Sequence, residues 1–280
     1  MRLKWRRWLA AYTMSQVGLY FTTKVVLSSM GPFLYLPIYL LGSSAILEAV
    51  SGRGVRPSRD VVILGILQGA SAALWLLGLF LLPPASAAAI NYFMPFVAMG
   101  LAAIAFGRGL DAWEGAGAAV GAAGVAIYAA SSLHGVRSEL GVAVTLANTV
   151  AWASYSLYYA RLSEEDPVAL NAASLLVAGL ATLPALAFGI SGPRPSLRPV
   201  ILLAWLLASI ASSALGYVSW TRLMGSLSVP RATLSSYAAP AAIAVIQGAL
   251  GEPVSAPQGV GLGVMVLGAA VSFMSRAGKR

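Results

Sequence analysis

The sequence has no cysteine and only one histidine, His134, among its 280 residues. Disulfides, thiolate metal sites and cysteine nucleophiles are therefore excluded, and we expect no metal and no other cofactor. Charged residues are also scarce, at 10% of the chain compared with roughly 25% in soluble domains. The chain has too few charges to cover a surface that faces water.

Apolar residues are abundant instead, at 59% of the chain, with a mean hydropathy of +0.80. A helix needs about 20 residues to cross the hydrocarbon core of a membrane, and the chain divides into ten apolar segments of that length with short connectors. They lie near residues 8–29, 31–50, 61–82, 86–106, 113–132, 141–160, 167–189, 199–221, 231–250 and 258–275. The sequence predicts an all-α integral membrane protein with ten transmembrane helices.

The basic residues predict the orientation of these segments. With a cytoplasmic N-terminus, fourteen of them are cytoplasmic: Arg2, Lys4, Arg6, Arg7, Arg53, Arg56, Arg59, Arg108, Arg161, Arg222, Arg231, Arg276, Lys279 and Arg280. Only Arg137, Arg194 and Arg198 fall in outside connectors, and Lys24 lies within the first segment. Positive connectors stay inside. We predict a multi-pass protein of the cytoplasmic membrane with both termini cytoplasmic, whose partners are lipid and a small-molecule substrate, not nucleic acid.

The two halves of the chain, residues 1–135 and 136–280, resemble each other. A shift of 145 residues pairs Trp75 with Trp220, Tyr92 with Tyr237 and Pro95 with Pro240, and a shift of 144 pairs Gly117 with Gly261 and Gly124 with Gly268. Because each half has five segments, an odd number, the second half must be inverted relative to the first. Inverted repeats are typical of secondary transporters, whose substrate sites lie near the membrane midplane.

Several short motifs also resemble a known family. They are Asn91-Tyr92-Phe93-Met94-Pro95 after Leu82-Pro83-Pro84-Ala85-Ser86-Ala87, Ala151-Trp152-Ala153-Ser154-Tyr155, Gly216-Tyr217-Val218-Ser219-Trp220-Thr221-Arg222, Ser235-Ser236-Tyr237-Ala238-Ala239-Pro240 and Gly251-Glu252. These motifs resemble those of EamA-type drug/metabolite transporters, and the Asn-Tyr-x-x-Pro motif is closest to the aromatic amino-acid exporters. The resemblance implies a ten-helix carrier that exports an amino acid or a similar metabolite by alternating access.

Lys24 is the charged residue that lies clearly within an apolar segment. A charge at the bilayer centre costs ~2.5–3.5 kcal/mol on insertion scales, so it should face protein or a watery cavity. Lys24 is a candidate partner for a substrate carboxylate or phosphate. The alternative is that it lies in the outer third of its helix and extends its ammonium to the lipid headgroups.

Other candidates for the substrate site are aromatic and amide or hydroxyl residues within the segments. They are Trp75, Asn91, Tyr92, Trp152, Tyr155, Tyr217, Trp220, Ser236 and Tyr237. Aromatic rings can stack on a planar substrate or form the interfacial belt, and buried amides can bond to a substrate or to another helix. Pro95 and Pro240 each remove a helical hydrogen bond, so they are candidate hinges, with an ordinary packing kink as the alternative.

The acidic residues limit the mechanism. Glu48 and Glu252 lie at segment ends, and no carboxylate falls within an apolar core, which favours a facilitator or exchanger over a carboxylate-driven proton antiporter. An intramembrane enzyme would need an aligned nucleophile and base or paired carboxylates, whereas Glu164-Glu165-Asp166 is a loop run before Pro167. A channel or an assembly scaffold is the third alternative.

Overall fold

The computed structural model describes residues 4–54, 58–107, 109–133, 136–162, 166–188, 197–251 and 254–274. Within these ranges the chain is helical and has no strand. The α-helices are α1 (Lys4–Leu27), α2 (Pro32–Ser51), α3 (Arg59–Leu81), α4 (Pro84–Asn91), α5 (Met94–Phe106), α6 (Ala112–Ser132), α7 (Glu139–Arg161), α8 (Pro167–Thr182), α9 (Pro199–Met224), α10 (Val229–Ser235), α11 (Ala238–Ala249) and α12 (Ala256–Ser272). A 3₁₀ helix, Leu183–Phe188, extends α8.

Seven helical stretches in the described part of the chain are long and apolar enough to cross a membrane. They are Pro32–Ser51, Arg59–Leu81, Ala85–Phe106, Ala112–Ser132, Glu139–Arg161, Pro167–Ala187 and Pro199–Met224, and Ala256–Ser272 is a shorter apolar helix. The prediction of an all-helical multi-pass membrane protein is confirmed. Among the residues used to predict orientation or exclude other functions, Arg2, Arg56, Arg108, His134, Glu164, Glu165, Arg194, Glu252, Arg276, Lys279 and Arg280 lie outside the described residues.

Two of the predicted segments are each divided into two helices. The fourth becomes α4 and α5, separated by Tyr92 and Phe93, and the ninth becomes α10 and α11, separated by Ser236 and Tyr237. In both cases a proline follows within the first turn of the second helix, where its missing N–H costs no hydrogen bond. A proline cannot donate to the carbonyl four residues earlier. The Asn91 carbonyl loses that donor at the first break, and at the second break the Ser236 carbonyl accepts from the Ala239 N–H at 3.1 Å instead.

Helices of one half pack against helices of the other in a reciprocal pattern. The first helix of each half contacts the third helix of the opposite half, as α1 with α9 and α7 with α3. The second helices, α2 and α8, contact each other, and so do the last helices, α6 and α12. The two halves are therefore interlocked and do not stand side by side as separate units.

The contact between α6 and α12 is made at the backbone. A methyl group added at Gly117 would lie 2.5 Å from the carbonyl oxygen of Gly268, and one at Gly124 would lie 2.6 Å from the amide nitrogen of Met265. Real side chains do not approach this closely, so glycine is required at both positions. Small residues allow this approach between helices in a membrane.

Side-chain contacts place one set of helix termini together at what we call the basic end. The Trp5 ring, at the start of α1, stacks on Phe273 after α12, at 4.7 Å between centroids. Arg231, near the start of α10, bonds to the carbonyl of Ser272 at the end of α12 and pairs with Asp111 before α6. The described arginines of this end are Arg6, Arg7, Arg53, Arg59, Arg161, Arg222 and Arg231.

The opposite set of termini is called the open end. There the Gln247 amide of α11 donates to the Tyr20 hydroxyl of α1 at 3.1 Å. The Gln258 amide, at the start of α12, donates to the Ser132 hydroxyl, at the end of α6, also at 3.1 Å. The basic residues described at this end are Lys24, Arg137 and Arg198.

Candidate substrate cavity

A cavity of about 530 Å³ lies between the two halves. Both halves contribute to its wall, and both broken helix pairs line it. The lining includes Tyr12, Gln16, Tyr20 and Lys24 of α1, Ser71 and Trp75 of α3, Asn91, Tyr92 and Pro95 at the first break, Asn148 and Trp152 of α7, Ser213 and Tyr217 of α9, and Ser236, Tyr237 and Pro240 at the second break. A volume of this size is typical of a small-molecule site.

The cavity is not centred between the two ends of the bundle. Its lining reaches the open end through Lys24 in the last turn of α1, Ala85 near the start of α4 and Val254 just before α12. Toward the basic end the described lining stops at Tyr12 on α1 and Tyr217 on α9, about two helical turns from the helix termini. Between these residues and the helix termini, the side chains of Tyr159, Trp220 and Leu223 are buried and close the basic end.

Ten of the twelve residues named from the sequence line the cavity. They are Lys24, Trp75, Asn91, Tyr92, Pro95, Trp152, Tyr217, Ser236, Tyr237 and Pro240. Tyr155 and Trp220 lie behind the wall with no solvent exposure. The Tyr155 hydroxyl donates to Asn171 at 3.0 Å, and the Trp220 indole N–H donates to Ser156 at 2.9 Å, so both rings are held by partners within the protein.

The two helix breaks contact each other across the cavity. The Tyr237 hydroxyl, at the second break, donates to the backbone carbonyl of Tyr92, at the first, over 2.7 Å. This carbonyl is available because the Phe96 N–H bonds to the carbonyl of Phe93, one residue later than a regular helix requires. The rings of Tyr92 and Tyr237 lie edge to face at 6.3 Å.

An amide network occupies the α3 and α7 side of the cavity. The Asn148 side-chain N–H donates to the Asn91 amide oxygen at 2.7 Å, and the Ser71 hydroxyl donates to the Asn148 amide oxygen at 2.7 Å. These bonds fix the orientation of the two amides. Asn91 is partly exposed at the first break and lines the cavity. Its amide group can therefore form hydrogen bonds with a polar ligand.

Aromatic rings form much of the remaining wall. The ring centroids of Trp152 and Tyr217 lie 5.9 Å apart, and those of Tyr92 and Tyr128 lie 5.1 Å apart in an edge-to-face arrangement. Sequence reasoning did not identify some lining residues, namely Tyr12, Tyr20, Tyr39, Ser71, Tyr128, Asn148 and Gln258. An Asn or Gln within an apolar run was a signal for Asn148, but the tyrosines had no repeat-paired motif to mark them.

Lys24 is the only charged side chain in the described part of the lining. It lies in the last turn of α1 and is exposed at the open end. This position allows the ammonium group to face both the cavity and the bulk phase. In the described ranges, no group of three or more His, Cys, Asp or Glu side chains is placed to hold a metal ion.

Part of this chain is similar to known proteins. Residues 139–274, which include α7 to α12, match the model of the EamA-like transporter family. The match covers most of the second half of the chain and just under half of its full length. A curated relative, an uncharacterised transporter encoded in the sor 3′ region of Acidianus ambivalens, is 27% identical over 221 residues, covering 78% of this chain and 85% of the relative. These findings support a membrane transporter and not an enzyme.

The fold of the whole chain also occurs in a solved crystal structure. That structure superposes with a TM-score of 0.77 over 95% of each chain, at 23% sequence identity. At this identity the likeness concerns the fold alone. The closer resemblance to aromatic amino-acid exporters stays a prediction from the Asn-Tyr-x-x-Pro motif.

Proposed function

We propose that this protein is a secondary transporter that moves an amino acid or a similar small metabolite outward, as an exporter or exchanger, by alternating access. The observation that carries the proposal is the cavity between the two halves, lined at both helix breaks. Secondary transporters bind their substrates near the midplane, at the interface of two repeats and beside discontinuous helices.

The proposed architecture is ten membrane crossings in two inverted five-helix repeats, residues 1–135 and 136–280. The order of α-helices in the first half, with a break in the fourth segment, recurs in the second half. The reciprocal packing of α1 on α9 and of α7 on α3 supports a two-fold relation between the halves. The concentration of arginine at the basic end supports a cytoplasmic location for that end.

The chemistry of the lining supports a planar, polar substrate. The tryptophan and tyrosine rings offer faces for stacking, Asn91 and Ser236 offer hydrogen bonds at the breaks, and Lys24 offers a cation at the entrance. Tyr155 and Trp220 support the wall from behind and do not contact a substrate in this state. Pro95 and Pro240 are the proposed hinges, because each follows a break in its helix pair.

A carrier is favoured over a channel by the closed basic end. A channel needs a continuous aqueous path, whereas the described lining stops two turns short of the helix termini at that end. A carrier shows this form in one of its two access states. Rocking of one repeat against the other would then expose the same site to the opposite side.

Counterflow in proteoliposomes tests the proposal. Vesicles containing the purified protein would be loaded with one unlabelled amino acid and assayed for accumulation of the labelled compound, with and without a pH gradient. We expect saturable accumulation for a few amino acids and little dependence on the gradient. The Trp75→Ala variant should reduce uptake, whereas Trp205→Ala, on the lipid side of α9 and outside the lining, should not.

The outcomes separate the parts of the proposal. Strong dependence on the pH gradient would contradict an uncoupled exchanger. Failure with every amino acid, followed by success with nucleotides, sugars or cationic drugs, would overturn the substrate class and leave a carrier. Failure with all of these, in vesicles that contain folded protein, would overturn the transport function.

A further inference from the structure

Two capping boxes occupy equivalent positions in the two halves. At the start of α6, Asp111 caps the helix and Glu114 bonds back to the Asp111 N–H at 3.2 Å. At the start of α12, Ser255 caps the helix and Gln258 bonds back to the Ser255 N–H at 3.0 Å. Both pairs are separated by 144 positions, which is the shift of the sequence repeat. One box lies at the basic end and the other at the open end.

The box at the basic end belongs to an ionic cluster, formed by Asp111, Glu114, Ser228 and Arg231. The Arg231 guanidinium lies 2.8 Å from the Asp111 carboxylate and 3.6 Å from that of Glu114. The Ser228 hydroxyl donates to Glu114 at 2.5 Å. Glu114 has no solvent exposure. The cluster thus joins α6 of the first half to α10 of the second.

Arg231 also joins a third helix to the cluster. Its Nε donates to the carbonyl of Ser272, at the end of α12, over 3.0 Å. The equivalent residue in the first half, 145 positions earlier, is Ser86, whose hydroxyl donates to the carbonyl of Ser132 at the end of α6, over 2.5 Å. The same type of contact is therefore made at both ends of the bundle, by an arginine at one end and a serine at the other.

The open end lacks the charges of the ionic cluster at every equivalent position. Gln258 replaces Glu114, Ser255 replaces Asp111, and Ser86 replaces Arg231. Gln258 lines the cavity and donates to the Ser132 hydroxyl, whereas Glu114 is buried and pairs with Arg231. The two ends share one framework of capping box and cross-helix contact. Among the described residues at these equivalent positions, only the basic end has ion pairs, with Glu114 buried and Arg231 and Asp111 partly exposed.

We infer that the ionic cluster is the gate of the basic end and that its charge asymmetry holds the protein in the state whose cavity faces the open end. The inference rests on the proposed transport function. To open the basic end, α10 must separate from α6 and α12, which breaks the contacts of Arg231 with Asp111, Glu114 and Ser272. A buried charge that loses its partner is strongly destabilised. At the open end the equivalent contacts, of Ser86 with Ser132 and of Gln258 with Ser132 and Ser255, are neutral hydrogen bonds.

Two substitutions give the basic end the residues that the open end has at the equivalent positions of Glu114 and Arg231. Glu114→Gln gives the first half the residue that the second half has at Gln258, and Gln at this position also forms a capping box. Arg231→Ser gives the second half the residue that the first half has at Ser86. The double variant removes the ionic contacts while keeping a helix cap that the protein already uses. It should raise the population of the state that is open at the basic end.

The absence of cysteine from the chain allows this population to be measured with single thiols. Ala88 lines the cavity on α4, and its equivalent 145 positions later, Thr233 on α10, has no solvent exposure. Ala88→Cys and Thr233→Cys report on the open and the closed side, respectively. The rate of labelling of each, by a small charged thiol reagent on purified protein, would be compared with and without the gate substitutions.

We expect labelling at Thr233→Cys to rise by about tenfold in the double gate variant and labelling at Ala88→Cys to fall, since a shift of 1.4 kcal/mol changes a population ratio tenfold. Arg53→Ser is the matched control. It removes an arginine at the same end that pairs with Asp166 at 3.3 Å but is 66% exposed, and exposed ion pairs contribute little. This control should leave both labelling rates unchanged.

Unchanged labelling rates in the double variant would overturn the inference. If the double variant does not fold, as judged by size-exclusion chromatography, Glu114→Gln alone decides, since it keeps the capping box and removes one ion pair. Counterflow of the natural chain is a separate result. Changed labelling without any counterflow would overturn the transport function and leave the gate, whereas counterflow with unchanged labelling would overturn only the gate.

Discussion

The Tyr237 hydroxyl donates a hydrogen bond to the backbone carbonyl of Tyr92, the residue 145 positions earlier that the repeat pairs with it. A side chain at one helix break therefore supplies the hydrogen-bond donor for a backbone carbonyl at the other. An unsatisfied carbonyl is costly wherever water cannot replace the lost partner. This bond couples the two breaks, and any movement that separates them must replace it by water or by a substrate donor.

Removal of this bond should weaken both the fold and transport. Tyr237→Phe keeps the ring but leaves the Tyr92 carbonyl without its donor, which should cost about 1–3 kcal/mol and lower the rate of counterflow. Thermal unfolding in detergent and proteoliposome uptake would measure the two effects. Tyr158→Phe is the control, because its hydroxyl bonds to Asp60 at the basic end, away from the cavity. Equal behaviour of the two variants would contradict a special role for the Tyr237 bond.

Lys24 should contribute to the capture of substrates that carry a carboxylate. Lys24→Met keeps a long apolar side chain and removes the cation from the lining, so half-saturation for such a substrate should rise by about tenfold or more, as expected for loss of a charged hydrogen bond. Lys24→Arg should retain most of the affinity. Uptake kinetics would measure both variants. Unchanged kinetics in Lys24→Met would reduce the residue to an anchor at the lipid headgroups.

The backbone contact between α6 and α12 should not tolerate a methyl group. Gly117→Ala places a carbon within 2.5 Å of the Gly268 carbonyl oxygen, which forces the helices apart and should cost about 1–3 kcal/mol. Gly115→Ala, two positions away on the same helix, meets no atom within 4 Å. Thermal unfolding should show a lower melting temperature only for Gly117→Ala. A similar loss in both variants would indicate a general effect on α6.

Acid should destabilise the basic end through Asp111, which lies outside the spanning helices. Burial raises the pKa of Asp111, but the Glu114 and Trp113 N–H groups and the Arg231 guanidinium together lower the pKa below its ordinary value. A lowered native pKa means that the carboxylate stabilises the fold above the unfolded pKa of about 3.9 and that this contribution is lost as the pH falls through the native value.

The comparison of the natural chain with Asp111→Asn measures this contribution. Asparagine keeps the helix cap but removes the charge, so the variant should melt at a lower temperature at pH 7. The difference between the two melting temperatures should shrink as the pH falls below about 4. A difference that does not depend on pH would contradict a contribution from the ionised carboxylate.

The positions of the helices were predictable because length and hydropathy determine them. The third predicted segment, residues 61–82, agrees with Arg59–Leu81, and the ninth, residues 231–250, covers the pair Val229–Ser235 and Ala238–Ala249. Proline chemistry indicated where the helices break. The rotation of each helix was not predictable, because lipid-facing and protein-facing residues are both apolar in a membrane. Tyr12 and Tyr155 therefore could not be assigned to the cavity or to the interior from sequence.

At the basic end too, the local contacts were predictable from the sequence, but the long-range contacts were not. Asp111, with Glu114 three positions later, is a recognisable capping box, but the approach of Arg231 from 120 residues away depends on the packing of α6 against α10. The pairing of Trp75 with Trp220 was visible in the repeat. Trp75 lines the cavity, whereas Trp220 is buried and bonded to Ser156. This difference depends on the packing of α3 and α9, which the repeat pattern does not give.

The glycine contact between α6 and α12 has a consequence for biosynthesis. The two helices end their respective halves, so the ribosome completes the partner of α6 only after the rest of the described chain has been made. During synthesis the bare glycine face of α6 remains exposed to lipid or to other membrane proteins until α12 is inserted. A chain truncated before residue 256 would keep this face uncovered, because α12 begins at Ala256.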